Sequence, residues 1–553
     1  MVPPQVHEPV GDQLAPIHRY HDGTKHHFNR FARSLGYLDW ASQPRPFRNY
    51  AGAPTFPLYP DPAAGMDLDV TRHPTFDGLF ITDQAPLELT IQAVGDVLRH
   101  SLGLSAWKQS GPSRWALRVN PSSGNLHPTE AYVICGSLQG LNSHAGVFHY
   151  APDRHTLERR CTFDDDAWSE ASSGRSDLWL VALTSIHWRE SWKYGERAFR
   201  YCQHDLGHAI AAVSVSAALH GWGARLLPAW SHHAIASATG INRDEDFTNA
   251  EREEPGCIIA LSGAPLPDAV SVEPLTERIR QGVWSGRASQ LSEEHVQWTF
   301  IDEIARATSD PGRTIEAPPL PAVPRQNPSD RHIDARTLLL QRRSAVAFDG
   351  RSAIDRAIFL RLLAGVMPRA AAPWNGQWWT PRVHLALFVH RVDGLEPGLY
   401  MLIRNAEALD RLRGACRADF LWEPACESLP LQRLATGDAR ALSAQLSCNQ
   451  SIASDGFFSL GMIAEFDRSL SEFGPSFYRH LFWETGIVGQ ALYLESEAAG
   501  ARATGIGCFF DDPVHDVLGL TGHQFQSLYH FTVGVPVDDA RLTTEPGYSW
   551  DPP

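Results

Sequence analysis

Continuous apolar runs set the first expected elements. Ala131 to Cys135 and Val383 to Val389 are short, β-branched or aromatic, the pattern of strands buried on both faces. Ala209 to His220 and Val488 to Ala499 are small and apolar around most of a helical wheel, which predicts helices enclosed on nearly all sides. A further helix is expected around Glu293 to Ala305. Residues 1–80 mix Pro, His and aromatic positions without a period and read as an extension wrapped on a neighbouring domain. The prolines of PLPDAV and of EAPPLPAVPRQNP enforce an extended, helix-free connection, and the last dozen residues trail off. The expected organisation is an extension (1–80), a mixed domain (81–265), a linker (266–330) and a second mixed domain (331–545).

The two mixed regions repeat one another. At an offset of 279 residues, Phe199-Arg200 matches Tyr478-Arg479, Asp205 matches Glu484, Gly207 matches Gly486, Gly221 matches Gly500, and Gly240-Ile241 matches Gly519-Leu520. At an offset of 252, Pro121 matches Pro373, Gly124 matches Gly376, and Gly146 to Phe148 match Gly398 to Tyr400. The difference of 27 places an insertion within 405–455 of the second copy. The expected architecture is an α+β layer fold present twice in one chain.

Composition narrows the partners. The chain has 553 residues, too many for one core, and a net charge of −15, which would repel a nucleic-acid backbone. No apolar run reaches the length of a membrane span and the N-terminus lacks a signal pattern, so a cytoplasmic protein is expected. Eight cysteines, at 135, 161, 202, 257, 416, 426, 448 and 508, show no CxxC spacing and read as small buried hydrophobes.

Two segments carry candidate chemistry. Pro121-Ser122-Ser123-Gly124-Asn125, ahead of a strand, packs two hydroxyls, an amide and a glycine into one short loop that could admit a flat ligand close to the backbone, or be a turn. Arg342-Arg343-Ser344 offers paired guanidinium forks beside a hydroxyl, suited to a phosphate, or is a solvated basic turn. His204 and His208 have zinc-ligand spacing, but without a Glu at 205 or a third ligand they read as structural, and the histidines at 18, 21, 26 and 27 as incidental. No metal site is expected. Asp512 before Pro513 reads as a helix start.

Taken together, RRSxxxF, the Pro121–Tyr132 loop (PSxGxxxPxExY), the late Gly505-Ile506-Gly507 and Lys193 to Tyr201 (KYxxRxxRY) resemble the nitroreductase superfamily, most closely its SagB/ThcOx-type branch of azoline dehydrogenases. The resemblance covers about 85–265 and 335–540. It implies two tandem nitroreductase-like domains forming an intramolecular pseudo-dimer, with FMN between them. The second copy has Trp374, Trp378 and Trp379 where the serine loop would be, and the first has Leu226-Leu227-Pro228 opposite Gly505 to Gly507 and no RRS near Asp77 to Phe80. One composite site per chain is therefore expected, with Pro121, Ser122, Ser123, Gly124 and Asn125 from the first copy, and Arg342, Arg343, Ser344, Gly505, Ile506 and Gly507 from the second. By the same resemblance a backbone N–H near Ile506 or Gly507 would face flavin N5, and Lys193 and Tyr194 would serve acid/base chemistry. The rival reading of Arg189, Lys193, Arg197 and Arg200 is a cationic helical stripe neutralised at the surface by Glu190, Glu196 and Asp205. The function implied is an FMN-dependent oxidoreductase acting on a small-molecule or peptide substrate, as a monomer or homodimer. The alternatives are an NAD(P)H-dependent nitro or quinone reductase, and a non-catalytic docking module.

Overall fold

The computed structural model of the protein describes residues 10–58, 74–81, 84–265, 270–321 and 332–551. The expected proline-rich connection falls partly outside them, at 266–269 and 322–331.

Two antiparallel sheets have the same strand order. In the first, Thr156–Thr162, Gly146–Ala151, Thr129–Cys135, Trp179–Ser185, Glu254–Ser262 and Gly223–Leu226 lie side by side. In the second the order is Leu431–Thr436, Gly398–Leu402, Val383–Val389, Phe458–Glu465, Phe525–Gly534 and Arg502–Ile506. The two central strands expected from the sequence are Thr129–Cys135 and Val383–Val389, and every residue in both is buried. With both faces covered, no alternation of polar and apolar positions survives, so these strands read as continuous runs. The second copy is longer chiefly between Leu402 and Leu431, where the first copy turns from Ala151 to Thr156.

The two long helices, Ala198–Ala218 and Phe477–Ala498, cross at the glycines that the repeat aligns. A Cβ on Gly207 would lie 2.2 Å from the Trp483 carbonyl oxygen, and one on Gly486 2.2 Å from that of His204. The backbones touch there, which only glycine permits. Both helices begin well before the apolar stretches that predicted them. Their leading turns carry Arg200, Gln203, His204, Asp205 and Arg479, polar yet buried, so hydropathy did not mark them.

The extension contributes a helix, Val10–Gly23, whose Leu14, Ile17 and Tyr20 join the core shared by both copies. Two further expectations are corrected. The helix expected around Glu293–Ala305 spans Thr299–Ala307; before it the chain is irregular, and the Glu251 carboxylate accepts from the Leu291 and Ser292 N–H groups there. The C-terminal residues do not trail off. Thr543–Pro546 pairs with Leu104–Ser110 of the first copy, and the buried Tyr548 ring lies under the Arg99 guanidinium at 4.8 Å. Among the described residues no helix is long and apolar enough to cross a membrane.

Candidate functional site

The Pro121–Asn125 loop is built by left-handed backbone and by its own side chains. Gly124, Asn125 and His127 have φ of 60°, 61° and 53°. The Ser122 hydroxyl accepts from the His127 N–H at 2.8 Å, and the Asn125 amide donates to the Ala116 carbonyl at 2.8 Å. From the first long helix, Asp205 accepts from the Ser123 N–H at 3.0 Å and from its hydroxyl at 3.0 Å. The serines and the amide thus shape the loop. At Gly124 a Cβ would meet the Tyr194 hydroxyl at 2.5 Å and the Lys193 ammonium at 3.2 Å, so the loop passes directly beneath both side chains.

Across from this loop runs the second copy's edge. Ala345 N–H donates to the Ala503 carbonyl at 3.1 Å, and the Thr504 hydroxyl donates to the Ala345 carbonyl at 3.0 Å, so the Arg342–Ser344 turn lies along the strand Arg502–Ile506. Between the two copies is a cavity of about 870 Å³, lined by 121–125, 342–344, 505–507, Tyr194, Lys108 and Arg502. All the expected loop, arginine and Gly-rich residues meet in this one cavity. Lys193 is exposed above Gly124, at the rim.

Arg342 is buried, donates to the Val119 and Arg118 carbonyls at 3.1 and 3.2 Å, and stacks on Tyr493 at 4.9 Å. Its Nη1 is buried without a hydrogen-bond partner. Arg343 donates to three backbone carbonyls and Ser344 pairs with the Tyr493 hydroxyl at 2.8 Å. Lys108 and Arg502, neither marked by any motif, add positive charge. Burial and then Arg342 push Arg343 down to about 10, and burial with Arg343 and Arg502 lowers Lys108. Clustered cations that depress one another are arranged for an anion.

Of the cationic stripe only Lys193 is at the surface. Arg189 pairs with Glu130, and Arg197 and Arg200 pair with Asp511 at 2.9 and 2.8 Å, all buried. Of the expected partners, Glu196 reaches Arg33 at 3.5 Å. Glu190 and Asp205 instead face each other behind the serine loop, a pair missed as chemistry although Asp205 marks the repeat. Burial and the Asp205 charge raise Glu190 well above the carboxylate range, while burial pushes Asp205 up to about 7 against hydrogen bonds from Ser122 and Ser123. The two share a proton near neutrality. Burial, then Glu190, also raises the Tyr194 phenol well above its ordinary value. Tyr194 is therefore held as a proton donor, not ionised by a neighbouring cation.

At Asp205's position in the second copy, Glu484 accepts from the Trp379 indole at 3.0 Å and the Arg382 N–H at 3.0 Å, and pairs with Arg404. The same carboxylate position grips the corresponding loop. There Trp374, Trp378 and Trp379 are buried, and Trp374–Gly376 packs on the strand Gly223–Leu226, with a Gly376 Cβ 2.8 Å from the Ala224 carbonyl oxygen. His204 pairs with Thr485 at 2.7 Å and stacks on Tyr529 at 4.1 Å, a structural role. His18 and His26, read as incidental, do sit in clusters, with Asp467 and His523 and with Cys448 and Cys508 respectively.

A pH effect follows from the carboxyl pair. Folded-state pKa values above the unfolded ones mean that the pair's contribution is full below about pH 4 and is lost as pH rises through 7. Glu190→Gln keeps a donor to Asp205 and removes the competing acid. Its melting temperature should exceed the wild type's at pH 8, with a smaller difference at pH 5; parallel curves would refute the shared proton.

Residues 339–535 match the family model described as the nitroreductase family. A protein of Methanocaldococcus jannaschii named a putative nitroreductase is 29% identical over 110 residues, which is 19% of this chain and 54% of that protein, so the chain spans about half the length of this curated relative. A crystal structure of a putative nitroreductase from Anabaena variabilis superposes with a TM-score of 0.69 and 20% identity, covering 94% of this chain and 99% of that one. The protein thus carries a nitroreductase-family domain at 339–535 within a nitroreductase-like fold that takes in both copies.

Proposed function

We propose that the protein is an FMN-dependent oxidoreductase of SagB/ThcOx type. Its two copies, 81–265 and 331–545, act as an internal pseudo-dimer with one cofactor site per chain. The observation that carries this reading is the unpartnered Nη1 of buried Arg342, in a cavity lined by five cations and walled by segments of both copies. That donor set suits a phosphate monoester, and the glycine-bearing walls suit a flat ring. The Trp-filled counterpart supports a single site.

Arg342, with Lys108 and Arg502 nearby, would hold the phosphate; Pro121 to Asn125, Ser344 and the backbone from Gly505 to Gly507 would hold the ring. When bound, the flavin supplies the two-electron acceptor or donor for a substrate carbon. Tyr194 Oη holds a proton at the cavity wall above Gly124, backed by the protonated Glu190–Asp205 pair. Lys193 Nζ, at the rim, is placed to exchange a proton with a substrate group. Small-molecule or peptide substrates would arrive from that side.

Released flavin counted by absorbance should give one FMN per chain, and Arg342→Ala should lose most of it while Trp374→Phe does not. Two per chain, or none after adding FMN, would overturn the reading. In FMN-loaded protein, Tyr194→Phe should slow turnover at least tenfold.

A further inference from the structure

Cys508 follows directly on the Gly505–Gly507 backbone and lines the cavity. Segments far apart in the chain converge on its thiol. The turn after the helix Arg440–Leu446 brings Cys448 Sγ to 2.7 Å, and the N-terminal extension brings His26 Nδ1 to 3.7 Å. Cys448 and Asn449 are both left-handed, at φ 54° and 58°. Gln450 braces this turn by donating to the Ser447 carbonyl at 2.9 Å and the Cys508 carbonyl at 3.1 Å. Arg197 anchors the other side, donating to the Gly507 carbonyl at 3.3 Å. Five of the eight cysteines are buried, whereas Cys448 and Cys508 are partly exposed.

We propose that Cys448 and Cys508 are a peroxide-responsive redox pair, dithiol in this structure and closed to a disulfide by hydroperoxides, at the rim of the cavity. The Cys508 thiolate attacks a peroxide oxygen; the O–O bond breaks, leaving Cys508 sulfenic acid and hydroxide. The Cys448 thiol then attacks the sulfenic sulfur, forming the S–S bond and releasing water. Two electrons pass from the two sulfurs to the peroxide, and a small-molecule dithiol returns them by exchange.

The division of labour follows from the surroundings. The hydrogen bond from Cys448 and contact with His26 push Cys508 down to about 5, helped by the Arg197 charge, while the same hydrogen bond raises Cys448. Asp511 raises Cys448 further, and Tyr194 and Tyr201 face the Cys508 thiolate as neutral phenols. Cys508 is thus the attacking sulfur and Cys448 the resolving one. A metal shared by the two sulfurs fits less well, since zinc–sulfur bonds of about 2.3 Å spread two thiolates wider than the 2.7 Å seen here.

The test is peptide mapping of the full-length protein after one equivalent of hydrogen peroxide, with alkylation of the remaining thiols. The expected product is a single cross-link between the peptides carrying Cys448 and Cys508, a loss of two of the eight free thiols, and full recovery with dithiothreitol. In Cys448→Ser, Cys508 should accumulate as a sulfenic acid captured by a cyclic 1,3-dione. In Cys508→Ser, oxidation of Cys448 should slow at least tenfold. Consumption of the partly exposed Cys426 as fast as the pair, or one zinc per chain shielding both sulfurs from peroxide and alkylation, would overturn the proposal.

Discussion

Gly207→Ala is expected to lower the melting temperature by several degrees, even though alanine improves helix propensity by about 1 kcal/mol. The new methyl would sit 2.2 Å from the Trp483 carbonyl oxygen, a backbone atom of the facing helix that cannot rotate away. The helices must separate, and overpacking costs roughly 1–3 kcal/mol or more. Gly414→Ala is the internal control. It lies in the helix Leu409–Ala415 with nothing within 4 Å of the added carbon, so the same substitution should be neutral or stabilising. Thermal melts of the two variants side by side decide the matter. Equal shifts would mean that the crossing is looser than the structure shows.

Asp511→Ala should destabilise the protein by about 3–5 kcal/mol, the usual cost of removing one partner from a buried ion pair. Asp511 answers both Arg197 and Arg200, each 1% exposed, and accepts the His26 N–H at 2.8 Å. Burial works against its charge, but Arg197 and Arg200 hold the carboxyl well below its ordinary value. A depressed folded-state pKa gives stability that is present above about pH 4 and is lost as pH falls below it. Urea midpoints of variant and wild type should therefore differ most at neutral pH and converge in acid. A constant gap down to pH 2 would show that the loss is packing alone.

Much of the arrangement was legible because both copies solve the same packing problem. The strand Val383–Val389 must be apolar throughout when covered on both faces, and Gly207 and Gly486 must both be glycine where they touch. Asp205 and Glu484 stand out as a repeated carboxylate because each grips the loop of its own copy. The motifs that meet in the cavity were visible as local strings. Partnerships between distant segments were not. Nothing local ties Arg197 to Asp511, Lys108 to Arg343, or Cys448 to Cys508 and His26. The leading turns of the long helices look polar although they are buried, because partners such as Asp511 for Arg200 come from distant segments. The strand Thr543–Pro546 is too short to announce itself; its partner, Leu104–Ser110, lies in the first copy.

The three buried tryptophans show what tethering two copies makes possible. In an assembly of identical subunits related by a two-fold axis, every replacement appears twice, so a pocket cannot be closed on one side without closing its mate. Here the loop at 373–379 could fill with indoles and dock on the strand Gly223–Leu226 while the loop at 121–125 stayed open. One loop is closed by buried indoles, and the other lines the cavity.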